Sequence, residues 1–157
     1  MKIKLYCIGK TNLDFVDEGI RLYQNRIAHF IDFELIYLPD IKNTKNMPVS
    51  ELKKKEGLLI LKNIVSNDFL CLLDENGLTH SSELFAKLLE KKIDQATKSM
   101  VFVIGGAYGF SEEIYQKADM KLSLSKMTFS HQIIRLIFME QLYRAFTIIK
   151  GIPYHNQ

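Results

Sequence analysis

Residues 100–109, MVFVIGGAYG, decide the fold class. The first five are apolar without a break, as in a strand covered on both faces, and such strands belong to parallel sheets sandwiched by helices. Gly105-Gly106-Ala107-Tyr108-Gly109 then forms an open loop ahead of Ser111-Glu112-Glu113, an acidic helix start. Strand, glycine loop and helix in that order put the loop at the carboxyl end of a sheet, where open α/β sheets bind their ligands. The spacing is not G-x-G-x-x-G, and the loop follows a late strand where that fingerprint follows the first. Glycine is also the default residue of strained turns, so a plain tight turn accounts for this loop alone at least as well.

Outward from this point the same alternation recurs. Residues 69–73 are a second nearly pure apolar run, followed by Asp74-Glu75-Asn76-Gly77, whose Asn-Gly pair predicts a tight turn. Ser81 and Ser82 cap a helix to about residue 96. Toward the amino terminus, residues 2–8 alternate as a strand and stop at Gly9-Lys10, and residues 14–30 space Phe15, Ile20, Tyr23, Ile27 and Phe30 as a helix does. Residues 33–38 form a strand closed by Pro39-Asp40, residues 41–49 an exposed loop, and Ser50 caps a helix to about residue 65. Beyond the glycine loop, residues 121–124 are a short strand, and Thr128 or Ser130 caps a last helix reaching about Lys150. Strands and helices in turn predict an α/β fold with a largely parallel sheet flanked by helices. With no repeat, linker or low-complexity tract, residues 1–157 are expected to form one domain.

The last helix carries Ile133, Ile134, Leu136, Ile137, Phe138, Met139, Leu142, Tyr143, Phe146, Ile148 and Ile149, more than the single stripe of a surface helix. It is expected to pack on its own sheet with one side and on a second copy with the other; central burial within one domain is the competing explanation. A net charge of +3 permits an RNA partner without demanding one. Cys7 and Cys71 sit in apolar strands and read as small buried hydrophobes of a reducing compartment. No run approaches the roughly 20 apolar residues of a membrane span, and the opening residues are too short a stretch for a signal peptide. A cytoplasmic protein is expected.

His29, His80, His131 and His155 are scattered and no Cys-x-x-C occurs, so no metal site is expected. The absence of G-x-S-x-G and of a P-loop disfavours hydrolase and triphosphatase readings, and Gly9, alone after the first strand, disfavours a Rossmann-type nucleotide enzyme. Residues 122–130, LSLSKMTFS, pass from strand to helix through small polar and apolar side chains. Such a loop suits an uncharged aromatic ring held by backbone groups, and a plain connection suits the composition equally. Arg135 and Arg144 on the last helix read as paired or interface charges, with phosphate binding as the functional alternative. The tail Pro153-Tyr154-His155-Asn156-Gln157 carries a ring that can stack on a base and an imidazole that can exchange a proton.

Taken together, KIKLYCIGK, FELIYLPD, the Lys55-Glu56-Gly57 triplet, LLDENG, VFVIGGAYGF, LSLSKMTFSHQIIRLIFMEQLYRAF and the PYH ending resemble, end to end, the ribosomal large-subunit RNA methyltransferase H family, also called YbeA-like. That resemblance implies a SPOUT-class α/β knot, with a C-terminal trefoil knot and dimerisation through it. It implies transfer of a methyl group from S-adenosylmethionine to N3 of a pseudouridine in helix 69 of 23S rRNA on the assembled ribosome. The cofactor contacts it implies are Leu73, Gly105 and Leu124, Ser125, Lys126, Met127, Thr128 and Phe129. The tail would reach the other subunit's pocket, with Tyr154 and His155 completing a composite site and Arg144 steadying RNA phosphate or the developing charge on the ring. Relatives often end in a basic residue after the Tyr-His pair; here Asn156 takes that place. The alternative is a non-catalytic ribosome-binding module of the same fold.

Overall fold

A computed structural model describes residues 1–154. Ten elements alternate: β1 (Lys2–Ile8), α1 (Asp14–Ile27), β2 (Asp32–Leu38), α2 (Val49–Asn63), β3 (Asp68–Thr79), α3 (Ser82–Asp94), β4 (Ser99–Ile104), α4 (Glu112–Lys117), β5 (Met120–Ser123) and α5 (Ile133–Ile149). The five strands form one parallel sheet in the order β2-β1-β4-β3-β5. All six residues of β4 are buried, as its unbroken apolar run predicts.

Alternate side chains of each strand feed two separate cores. Ile3, Leu5, Cys7, Met100, Phe102 and Ile104 face α1, α3 and α5, while Tyr6, Leu70, Leu72, Val101 and Val103 face α2 and α4. Helices therefore cover both faces. α5 lies between α1 and α3, with Phe138, Met139, Leu142 and Phe146 fully inside and the Phe138 ring 4.7 Å from that of Phe102. Central burial thus accounts for part of its wide apolar surface. Ile133, Ile134 and Ile137 are half-buried; the first two pack against this core and Ile137 does not. Both cysteines are free, and burial pushes each thiol up to about 12, which keeps them protonated and inert. Among the described residues, no helix is long and apolar enough to cross a membrane.

Three local expectations need correction. Asp74-Glu75-Asn76-Gly77 is no hairpin turn: β3 continues to Thr79 across a register shift between Leu73 and Leu78, pairing with β5 on both sides of it. Gly77 serves there for close approach, since a Cβ would lie 2.7 Å from the Leu122 backbone. Ser50 does not cap α2, which begins at Val49 directly after Pro48, so the serine falls inside the first turn. Helix α1 ends at Ile27, and residues 28–30 form turns. Ser81 caps α3 as expected, accepting from the Leu84 amide at 3.3 Å.

Candidate functional site

Strand order brings together residues far apart in sequence. Leu73 of β3 pairs with Ile104 of β4 on one side and Leu122 of β5 on the other, so three apolar side chains stand level at the carboxyl edge of the sheet. Just beyond them β4 and β5 pass into loops, while β3 shifts register and runs on through Asp74 to Thr79 beside those loops. These loops enclose a cavity of about 480 Å³, of the size that takes a small-molecule cofactor.

Leu73, Ile104, Leu122 and Phe110 supply its apolar lining, and Gly105 through Gly109 its glycine wall. Leu124, Ser125, Met127, Thr128 and Phe129 supply the wall ahead of α5. Serines hold this last loop in shape: Ser123 donates to the Ser125 carbonyl at 2.8 Å, and the Ser125 hydroxyl accepts from the Met127 amide at 2.9 Å. Ser130, not Thr128, caps the α5 entry, accepting from the Ile133 amide at 3.2 Å. Met127 is 76% and Phe129 42% exposed, apolar side chains left facing solvent on the cavity wall. On the opposite rim the Tyr115 hydroxyl donates to Asp74 at 2.5 Å. Burial and that carboxylate push the phenol up to about 12, so it stays a hydrogen-bond donor.

Most of the sequence-predicted cofactor residues therefore converge. Lys126 is the exception, exposed and off the cavity wall. Asp74, Phe110, Tyr115, His131 and Ile134 line the cavity and were not singled out. The LLDENG segment was the available signal for Asp74 and VFVIGGAYGF that for Phe110; Tyr115 had none.

The entry to α5 is fixed from below by two polar side chains. Gln132 accepts from the Asn12 amide at 2.9 Å and donates to the Lys10 carbonyl at 3.2 Å. Arg135 has no exposed surface; it donates to the carbonyls of Ile8 at 2.6 Å, Gly9 at 3.0 Å and His131 at 3.0 Å, and to the Thr11 hydroxyl at 3.1 Å. It serves neither phosphate nor a carboxylate partner, contrary to both sequence expectations. Instead it pins the first strand's carboxyl end to the helix that follows the cofactor-type loop.

Arg144 and Tyr154 lie elsewhere. Arg144 pairs with Glu140 and sits 4.9 Å from the Tyr154 ring centre. Tyr154 also donates to Glu140 and lies 3.2 Å from the Tyr23 hydroxyl, edge-on to Tyr143. Ten residues of helix separate Arg144 from Ile134 on the cavity wall, roughly 15 Å at 1.5 Å per residue. His155 falls outside the described residues.

A smaller cavity of about 200 Å³ adjoins the first and shares Gly106, Ala107, Tyr108 and His131 with it. Its other walls include Asp40, Thr44 and Glu56. Glu56, the acidic residue of Lys55-Glu56-Gly57, is only 8% exposed.

A ligand cavity at the carboxyl edge of a parallel sheet is common to many enzymes, so sequence comparison decides between them. A family profile described as "Predicted SPOUT methyltransferase" matches residues 1–155. The chain belongs to the SPOUT methyltransferase family. Proteins named ribosomal RNA large subunit methyltransferase H are similar over their full length: those of Christiangramia forsetii, Parabacteroides distasonis and Flavobacterium johnsoniae are each 54% identical, with all 157 residues and the whole of each relative aligned. A solved structure, a probable methyltransferase from Bordetella pertussis Tohama I, superposes with a TM-score of 0.57 over 92% of this chain and 96% of that one. At 12% identity it speaks for the fold alone.

Proposed function

We propose that this SPOUT methyltransferase methylates large-subunit ribosomal RNA from S-adenosylmethionine, its target N3 of a pseudouridine in helix 69, acting as a cytoplasmic homodimer. The carrying observation is the cavity where Leu73, Gly105, Leu124, Ser125, Met127, Thr128 and Phe129 meet, in a chain 54% identical end to end to proteins bearing the methyltransferase H name.

The cavity fits the cofactor's chemistry. Its apolar leucine and phenylalanine lining suits an adenine ring, and the loop backbones flanking it offer N–H and C=O groups to the ring edge. When bound, S-adenosylmethionine supplies a methyl group on a positively charged sulfur. The chain's own contribution would be alignment and exclusion of water: Met127 and Phe129, exposed on the cavity wall, offer apolar surface against which a target ring could be held beside the cofactor. The N3 proton of the ring must leave at or before attack. Within one subunit, Arg144 and the Tyr154 ring beside it stand roughly 15 Å along α5 from the cavity wall, which supports a second copy supplying them together with His155. Ile137 on α5, half-buried and not packed against the sheet core, is an apolar side chain offered for that contact. In the composite site Arg144 faces phosphate or the charge developing on the ring, and Tyr154 and His155 flank the base.

The test is mass analysis of helix 69 RNA from ribosomes lacking the modification, incubated with protein and cofactor. One added methyl on a pseudouridine is expected. Cofactor binding by calorimetry without methyl transfer would instead indicate a non-catalytic ribosome-binding module. In the same assay, a chain ending at Pro153 should bind cofactor normally yet transfer methyl about 100-fold more slowly. Full activity of that chain would remove the tail from the site.

A further inference from the structure

The second cavity has a charge pattern that the main cavity does not explain. Among its described lining residues the titratable groups are Asp40, Glu56, Tyr108 and His131, with no lysine or arginine. Glu56 is buried on α2 and, among the described residues, forms no ion pair; its carboxylate lies against the Gly106 backbone, so close that a Cβ on Gly106 would fall 2.5 Å from its Oε1. Asp40, at the end of β2, is exposed at the same cavity and lies against Gly9. A carboxylate withdrawn from water without a cation is costly, and a ligand bringing positive charge offsets that cost.

We propose that the Asp40–Glu56 cavity is the subsite for the ammonium group at the amino-acid end of the cofactor, on the reading that S-adenosylmethionine occupies the neighbouring cavity. Three observations converge. The two cavities share the wall formed by Gly106, Ala107 and Tyr108, so one ligand can lie across it. An ammonium presents only donors, and Asp40, Glu56 and the Thr44 hydroxyl all present acceptors. His131, exposed between the cavities, can donate to the carboxylate at the same end of the ligand. Burial first, and then the charge on Asp40, raise the Glu56 carboxyl, with the Gly106 amide opposing them; a bound cation removes this strain on the ionised form. A uracil ring is a poorer occupant, because its N3–H is flanked by two carbonyls that a pair of carboxylates would repel.

Calorimetry with S-adenosylhomocysteine and methylthioadenosine separates the possibilities, since both carry the adenosine and a neutral sulfur but only the first carries the amino acid. Glu56→Gln, which keeps size and shape, should weaken S-adenosylhomocysteine about 30-fold and leave methylthioadenosine within about twofold. Asp40→Asn, at an exposed position that does not threaten folding, should act in the same direction, by about 5-fold. Equal loss of both compounds in Glu56→Gln would overturn the subsite, showing that Glu56 acts by holding Gly106. Unchanged affinity for S-adenosylhomocysteine in both variants would overturn it as well. If wild-type protein binds methylthioadenosine and S-adenosylhomocysteine equally, the subsite fails while the cofactor reading stands; if it binds neither, both fall.

Discussion

Arg135→Ala is expected to lower folding stability by about 3–5 kcal/mol. The guanidinium is wholly buried and holds three carbonyls and a hydroxyl drawn from the end of β1, the loop after it and the entry to α5. Removing it strands the Ile8 and Gly9 carbonyls away from water, at about 1–3 kcal/mol each, and adds a cavity the size of the lost side chain. The arginine itself carries a desolvation cost, which the carbonyl dipoles and the Tyr37 ring, 5.8 Å away, offset. Arg135→Lys keeps the charge but cannot reach all four acceptors from one point, so an intermediate loss of about 2 kcal/mol is expected. Urea denaturation at constant slope measures both. A loss below about 1 kcal/mol for alanine would mean that water takes over the carbonyls. Because the anchored His131 carbonyl sits where both cavities meet, cofactor affinity should fall along with stability in the alanine variant.

That role was not legible in the sequence. An arginine in an apolar helix signals a partner, and the usual partner is a carboxylate or phosphate; only the fold reveals that three backbone carbonyls converge on it. The strands and helices themselves were legible, because the period-two strands, the unbroken run in β4 and the serine caps are local signals. The Asn76-Gly77 pair misled for the same reason. Its local preference is a turn, and pairing with β5 overrode it, using Gly77 to let two backbones approach. The site was legible in its parts and not in its assembly. Leu73, Gly105 and residues 124–129 came from family resemblance, whereas their adjacency follows from β3 lying between β4 and β5, an order no spacing encodes. Tyr115 and Glu56 owe their setting to that order too: each gains it from a segment distant in sequence, Tyr115 from Asp74 of β3 and Glu56 from the Gly106 loop.

On the proposed cofactor reading, the same order makes Gly105 a position where added bulk is expected to cost cofactor affinity. Its backbone is in a region open to any residue, so a larger side chain there is limited by space and not by conformation. A Cβ would stand 3.0 Å from the Phe110 ring, and Phe110 is itself buried against Val103 and Ile114 in the core under α4. Gly105→Val therefore has two outlets: its methyl groups enter the cavity directly, or they drive the Phe110 ring, another lining residue, into it. Either way the ring space shrinks. Affinity for S-adenosylmethionine should drop by about 100-fold or more in calorimetry, while stability falls by only about 1–3 kcal/mol. Gly105→Ala, whose single methyl asks Phe110 to yield by a few tenths of an ångström, should lose about 10-fold. Urea denaturation run beside calorimetry separates loss of ring space, which lowers affinity far more than stability, from a general disturbance of the fold, which lowers both. Wild-type affinity in Gly105→Val would show that the cofactor does not use the space beside Gly105, and the binding site would then have to be sought on the 124–129 side of the cavity alone.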